Sequence, residues 1–115
     1  MKLIKTFETA EIQNPHQISV RALFVSDSIQ FEHLLLEPGQ SLIKHITYTN
    51  VHLYILEGKG VLEAGTEVIP LSADELIEIP PETPHRIIND GDNPLRLLNI
   101  KAPRALKSTH LVTEG

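Results

Sequence analysis

An all-β domain of short strands is the fold class that the sequence predicts, and three features predict it. Prolines and glycines recur about every eight to twelve residues, too closely for long helices but suited to a sandwich or barrel. The intervals between them are short runs rich in Ile, Val and Leu. Helical periodicity is absent except over 105–111 after Pro103, a stretch that reads equally as a short helix or a tail.

Taken in order, strands are predicted at 18–25, 28–36, 41–46, 51–56, 60–62, 67–71, 75–79, 86–88 and 95–101. Turns fall at 37–39, 57–60, 63–65, 80–84 and 89–94, where Gly supplies positive φ and Pro blocks ladder pairing. Connections this short favour hairpins. The 115 residues suffice for one domain, which buries roughly two-thirds of the surface its unfolded chain exposes. No repeat or low-complexity linker divides it. The working division is a core at 28–101, N-terminal strands within 1–27 and a C-terminal tail at 102–115.

Composition narrows the function. The absence of cysteine removes disulfides, thiolate metal sites and Cys nucleophiles together, and a reducing cytoplasm is the expected compartment. The first residues lack an apolar core of signal-peptide length, and no later run approaches the ~20 residues of a membrane span. A formal charge of -5 repels phosphate backbones, and the chain has no Trp for base stacking, so neither nucleic acid nor membrane is an expected partner.

Two constellations carry chemistry. In the first, Gly39 is followed after five residues by His45 and Thr47, with His52 and Gly58 beyond. In the second, Asp74 and Glu75 precede Pro80, Glu82, His85 and Asn89. These stretches resemble the two motifs of the cupins, Gly-x5-His-x-His-x3,4-Glu-x6-Gly and Gly-x5-Pro-x-Gly-x2-His-x3-Asn. The resemblance covers roughly 28–101 and implies a double-stranded β-helix, or jelly-roll barrel. It also implies a homodimer, as many such domains form, and the Leu- and Ile-rich runs, which carry more apolar surface than one small barrel can enclose, favour burial between subunits.

Alternate residues of a strand share a face, so the family's His-x-His aims two imidazoles into the barrel while the opposite wall supplies a third. The resemblance therefore implies a divalent metal (zinc, nickel, iron(II) or manganese) with open positions for a small molecule. His45 and His85 stand at the matching positions, whereas Thr47 replaces the second histidine and Val51 the usual glutamate. His52, one residue past Val51, points outward in strict register and inward if a bulge forms near Asn50. The candidate ligands are thus His45, His85 and His52. Thr47, Val51, Leu53, Tyr54, Ile55 and Glu57 are the expected pocket lining, with Glu57 or Glu82 as distant candidates for a general base. Asp74 and Glu82 replace motif glycines, which predicts a second turn of altered shape. His33 is expected to be an ordinary strand residue, Asn89 to order the turn after its strand, and His16 and His110 receive no role. Two functions remain open at this point: a metal-binding enzyme acting on a small molecule, or a non-catalytic module that binds a small ligand without metal.

Overall fold

The computed structural model describes residues 1–104 and 110–112. The helix-or-tail segment 105–111 therefore lies mostly outside the described residues. Elsewhere the chain forms ten strands: β1 (Ser19–Val25), β2 (Gln30–Leu36), β3 (His45–Ile46), β4 (Val51–Glu57), β5 (Lys59–Ala64), β6 (Glu67–Ser72), β7 (Leu76–Ile79), β8 (His85–Ile88), β9 (Leu95–Lys101) and β10 (His110–Leu111). They make two five-stranded antiparallel sheets, β1-β2-β9-β4-β7 and β10-β3-β8-β5-β6, the jelly-roll pattern. Among the described residues no helix is long and apolar enough to cross a membrane.

Three details differ from the sequence reading. The expected strand at 41–46 is reduced to His45–Ile46, with Ser41 making an isolated bridge to Ile88. Within 1–27 only β1 forms; the residues before it make a single 3-10 turn, Thr6–Glu8, and then an irregular strap. Asp74 and Glu82, which stand in for glycines, adopt φ of 66° and 62°, so the second motif keeps the glycine-like turn rather than changing shape. Short polar or loop-tip residues tolerate this left-handed region at modest cost.

The core lies between the sheets. Leu34, Leu36, Val51, Leu53, Ile55, Leu95 and Leu97 from the first sheet meet Leu62, Leu71 and Ile87 from the second. Alternation of buried and half-buried residues in β4 and β8 is the expected period of two for strands with one face inward. Gly58 (φ +88°) closes the β4–β5 turn so tightly that a Cβ would collide with the carbonyl oxygen of Pro94.

Asn89, fully buried, ends β8. Its Nδ2 donates to the carbonyls of Leu36 and Asn93, both at 2.9 Å, and its Oδ1 accepts from the Gly91 amide at 3.0 Å. It orders the turn, as expected. Asn89→Ala is expected to lower the unfolding free energy by about 2–3 kcal/mol, because buried carbonyls lose their partner. Urea unfolding checks this; a loss under about 0.5 kcal/mol would contradict the role.

Candidate functional site

One end of the barrel interior is polar, and strand register places it there. Across β2 and β9, Leu36 faces Leu95, Leu34 faces Leu97, Glu32 faces Asn99 and Gln30 faces Lys101. β4 continues these rows, Ile55 beside Leu97, Leu53 beside Asn99 and Val51 beside Lys101. The same interior face thus runs from a leucine floor to a carboxylate, an amide and an ammonium group. Lys101 Nζ lies 3.8 Å from Glu32 Oε1 with both side chains only 13% exposed. Asn99 Nδ2 donates to the same carboxylate at 3.5 Å, and Asn99 Oδ1 is buried without a partner.

The second sheet supplies the histidines. His45 of β3 is directly opposite His85 of β8, and their ring centroids are 4.2 Å apart. His16, from the strap before β1, lies beside His45 with ring centroids 5.1 Å apart and the planes tilted by 53°. A cavity of about 300 Å³ opens between the two walls, lined by His16, His45, Glu32, Asn99 and Lys101 over an apolar base that includes Val20, Leu34 and Leu42.

Hydrogen bonds fix the imidazole tautomers. His45 Nδ1 donates to the Ile43 carbonyl at 2.9 Å, and His85 Nδ1 donates to the Thr83 carbonyl at 2.8 Å. A carbonyl can only accept, so each Nδ1 carries the proton and each Nε2 keeps a free lone pair. Burial, together with the neighbouring charge of His85, pushes the pKa of His45 down to about 4, against the weaker opposing effect of its bond to Ile43. His85 and His16 are lowered by burial first, and Lys101 contributes to the lowering of all three. Near neutral pH the wall is therefore a set of neutral imidazoles facing a cation.

Of the candidate ligands, the structure brings His45 and His85 together and turns His52 away. β4 runs in unbroken register past Asn50, so strict alternation holds; the bulge lies instead between Ile55 and Glu57. His52 projects from the outer face, its Nε2 3.1 Å from Glu78 Oε2. That same bulge swings Glu57 outward, where it accepts from Arg96 at 3.0 Å. Tyr54 also lies outside, its hydroxyl donating to Asp74 at 3.3 Å. Glu82 is an exposed loop residue. Val51, Leu53 and Ile55 do face inward, but they are consumed in the core rather than lining the cavity, and Thr47 is buried with an unpartnered Oγ1. His33 faces outward and is buried beneath Phe7, with Arg96 donating to its Nε2 at 3.2 Å.

A resident divalent ion would find two imidazole lone pairs here. His16 Nδ1 is already the acceptor for the Ile43 amide at 2.8 Å, and among the described residues no three His, Asp or Glu side chains converge as a ligand set. Two donors fall short of the three or four that a competent site uses. Glu32, Asn99, Lys101 and His16 line the cavity and were not among the residues expected there from the sequence; the first three occupy the inward parity of strands otherwise lined with leucine.

Residues 32–101 match the family model described as a cupin domain. The chain is 38% identical over 66 residues to an uncharacterised protein of Methanocaldococcus jannaschii, covering 56% of this chain and 53% of that protein. It is 31% identical over 84 residues to the polyketide synthase CurC of Streptomyces cyaneus, covering 70% of this chain and 54% of that protein. It thus spans little more than half the length of these curated relatives. Among solved structures, the polyketide cyclase RemF of Streptomyces resistomycificus superposes with a TM-score of 0.86 at 18% identity, covering 100% of this chain and 87% of that one. The TT1209 protein of Thermus thermophilus gives 0.75 at 27% identity, covering 90% of this chain and 98% of that one.

The neutral imidazoles have a thermodynamic consequence. His45 binds its proton more weakly folded than unfolded, so the unfolded chain takes up protons first as pH falls below 6.5 and stability declines toward the folded value near 4. Between pH 7 and pH 5 the loss from His45 is expected to be about 2 kcal/mol. Urea unfolding of the protein and of His45→Gln across that range checks it; an equal loss in both would contradict it.

Proposed function

The chain belongs to the cupin domain family, and from that premise we propose that the polar end of its barrel binds a small carbonyl compound and that His45 removes a proton from the carbon beside the carbonyl. One observation carries the reading: a bare imidazole nitrogen and a buried ammonium group line opposite walls of one cavity. A buried ion pair such as Lys101–Glu32 adds little to folding, and an uncommitted base facing it is an arrangement suited to a developing oxyanion. Relatives and neighbours carry the names polyketide synthase and polyketide cyclase. A polyketide is a chain in which carbonyls alternate with acidic carbons, and that supplies the substrate class.

In this reading the carbonyl oxygen sits toward Lys101, while the apolar base of the cavity holds the carbon skeleton. The C–H proton moves to His45 Nε2, the C–H electron pair becomes the enolate double bond, and the carbonyl π pair moves onto oxygen against Lys101. Free His45 is a weak base because it is desolvated; an enolate beside it restores its affinity for the proton, so the two charges form together. His85 at 4.2 Å makes a second protonation unfavourable, so the pair takes up one proton. The enolate then attacks a second carbonyl or recovers its proton from His45. The residues present do not complete a metal site, and no step uses one.

The test is keto–enol relaxation of 1-phenylbutane-1,3-dione, diluted from an enol-rich apolar stock into buffer and followed by stopped-flow absorbance. The protein is expected to accelerate relaxation, and His45→Gln to lower that acceleration about 100-fold. Dialysis against a chelator is expected to leave the rate unchanged. Probe binding without acceleration would favour a ligand-binding module instead, and loss of activity on chelation with recovery on adding zinc would favour a metal enzyme.

A further inference from the structure

His16 lies outside both sequence motifs, in the strap that precedes β1, yet it forms part of the cavity wall. Its position is built rather than incidental. Asn14 Nδ2 donates to the carbonyls of Ile12 and Ile18 at 3.1 and 2.9 Å, and the Gln17 amide donates to the Asn14 carbonyl at 3.2 Å. Gln17 takes a positive φ of 57°, which curls the strap so that His16 reaches the segment leading into β3. There the Ile43 amide donates to His16 Nδ1 at 2.8 Å.

Ile43 consequently touches both rings with opposite polarity. Its N–H donates to His16, while its C=O accepts from His45 at 2.9 Å. An imidazole nitrogen that accepts a hydrogen bond is bare, so neutral His16 carries its proton on Nε2; His45 carries its own on Nδ1 and is bare at Nε2. One peptide residue therefore sets neighbouring rings, with centroids 5.1 Å apart, in complementary tautomers. Among the described residues no protein acceptor engages His16 Nε2.

We propose that His16 is a catalytic residue: a neutral hydrogen-bond donor that holds the carbonyl oxygen of the bound compound through Nε2–H while His45 takes the proton from the adjacent carbon. This rests on the reading of His45 as the base and assigns the reaction class more narrowly, as enolisation by a matched donor and acceptor. The proton travels from carbon to His45 Nε2 and the negative charge settles on oxygen. His16 gives up no proton, since losing one would leave an anionic imidazolate; it strengthens its hydrogen bond as the charge grows, the role a neutral imidazole plays in enolising enzymes. Lys101 contributes to the same charge from the opposite wall.

The experiment measures kcat and KM for 1-phenylbutane-1,3-dione relaxation in wild-type protein, His16→Phe, His16→Gln and His45→Gln. His16→Phe keeps the ring volume and loses the donor; it is expected to lower kcat about 100-fold while KM changes less than about threefold. His16→Gln places an amide N–H near the same point and is expected to recover about tenfold of that loss. A His16→Phe protein at wild-type kcat, with His45→Gln inactive, would overturn the role of His16 and leave the base intact. A His45→Gln protein at wild-type kcat would overturn the underlying reading. Long-range ¹H–¹⁵N spectra of the wild-type imidazoles at neutral pH keep the proposal open to refutation even if His16→Phe fails to fold. They are expected to show His16 protonated on Nε2 and His45 on Nδ1; the same tautomer for both rings would overturn it.

Discussion

Successive side chains of an extended strand leave opposite faces of the sheet, and at the mouth of this barrel that alternation decides what each residue can touch. Once Leu95 and Leu97 of β9 are committed to the core, Asn99 and Lys101 must follow them inward; β2 does the same with Leu36, Leu34 and Glu32. A slip of one residue would exchange Lys101 and Asn99 for Leu98 and Ile100 and leave an apolar cup. The rule works in the other direction in β4, where burying Val51, Leu53 and Ile55 obliges His52 and Tyr54 to face out. It is relaxed at the bulge between Ile55 and Glu57, which carries Glu57 to the outer face beside Arg96. Among the described residues the carboxylate that lines the cavity is Glu32, already beside Lys101.

Electrostatics then assigns the protonation states. Like charges on facing walls of one cavity repel, so Lys101 and burial act in the same direction on the imidazoles. Burial strips the proton from the imidazoles, and Lys101 reinforces the effect. The proposed function uses this pairing of a cation with uncharged bases inside one cavity. Asn99 Oδ1, buried without a partner, adds an acceptor that a ligand hydroxyl could satisfy.

Most of the strand plan was legible because Pro and Gly punctuate it. β3 was overestimated because Ser41–Lys44 has strand composition but pairs with β8 only in single contacts, the Ser41–Ile88 bridge and the Leu42 amide on Ile87, while the Ile43 amide turns to His16 in the strap. β10 is two residues long and offers no periodicity to read. Within the site, His45 and His85 stood out because they match spaced motifs. His52 was ambiguous since a bulge was conceivable, and the bulge formed further along the strand, between Ile55 and Glu57. Glu32, Asn99 and Lys101 carried a usable signal, namely polar residues at the inward parity of leucine-rich strands. His16 carried none, because it lies in irregular chain and reaches the site only through the turn at Asn14–Gln17. The glycine positions of the second motif were misjudged from residue type alone: Asp74 and Glu82 adopt the left-handed backbone that glycine would have used.

The central claim is that one cavity, framed by His45 on one side and Lys101 on the other, receives the ligand. A crystal structure of the protein soaked with 1-phenylbutane-1,3-dione examines it most directly. The result required is the compound inside the barrel mouth, one oxygen within about 3.2 Å of Lys101 Nζ and its central carbon within about 3.5 Å of His45 Nε2. Density on the outer face beside His52 and Glu78, with the barrel mouth filled by protein side chains, would contradict it.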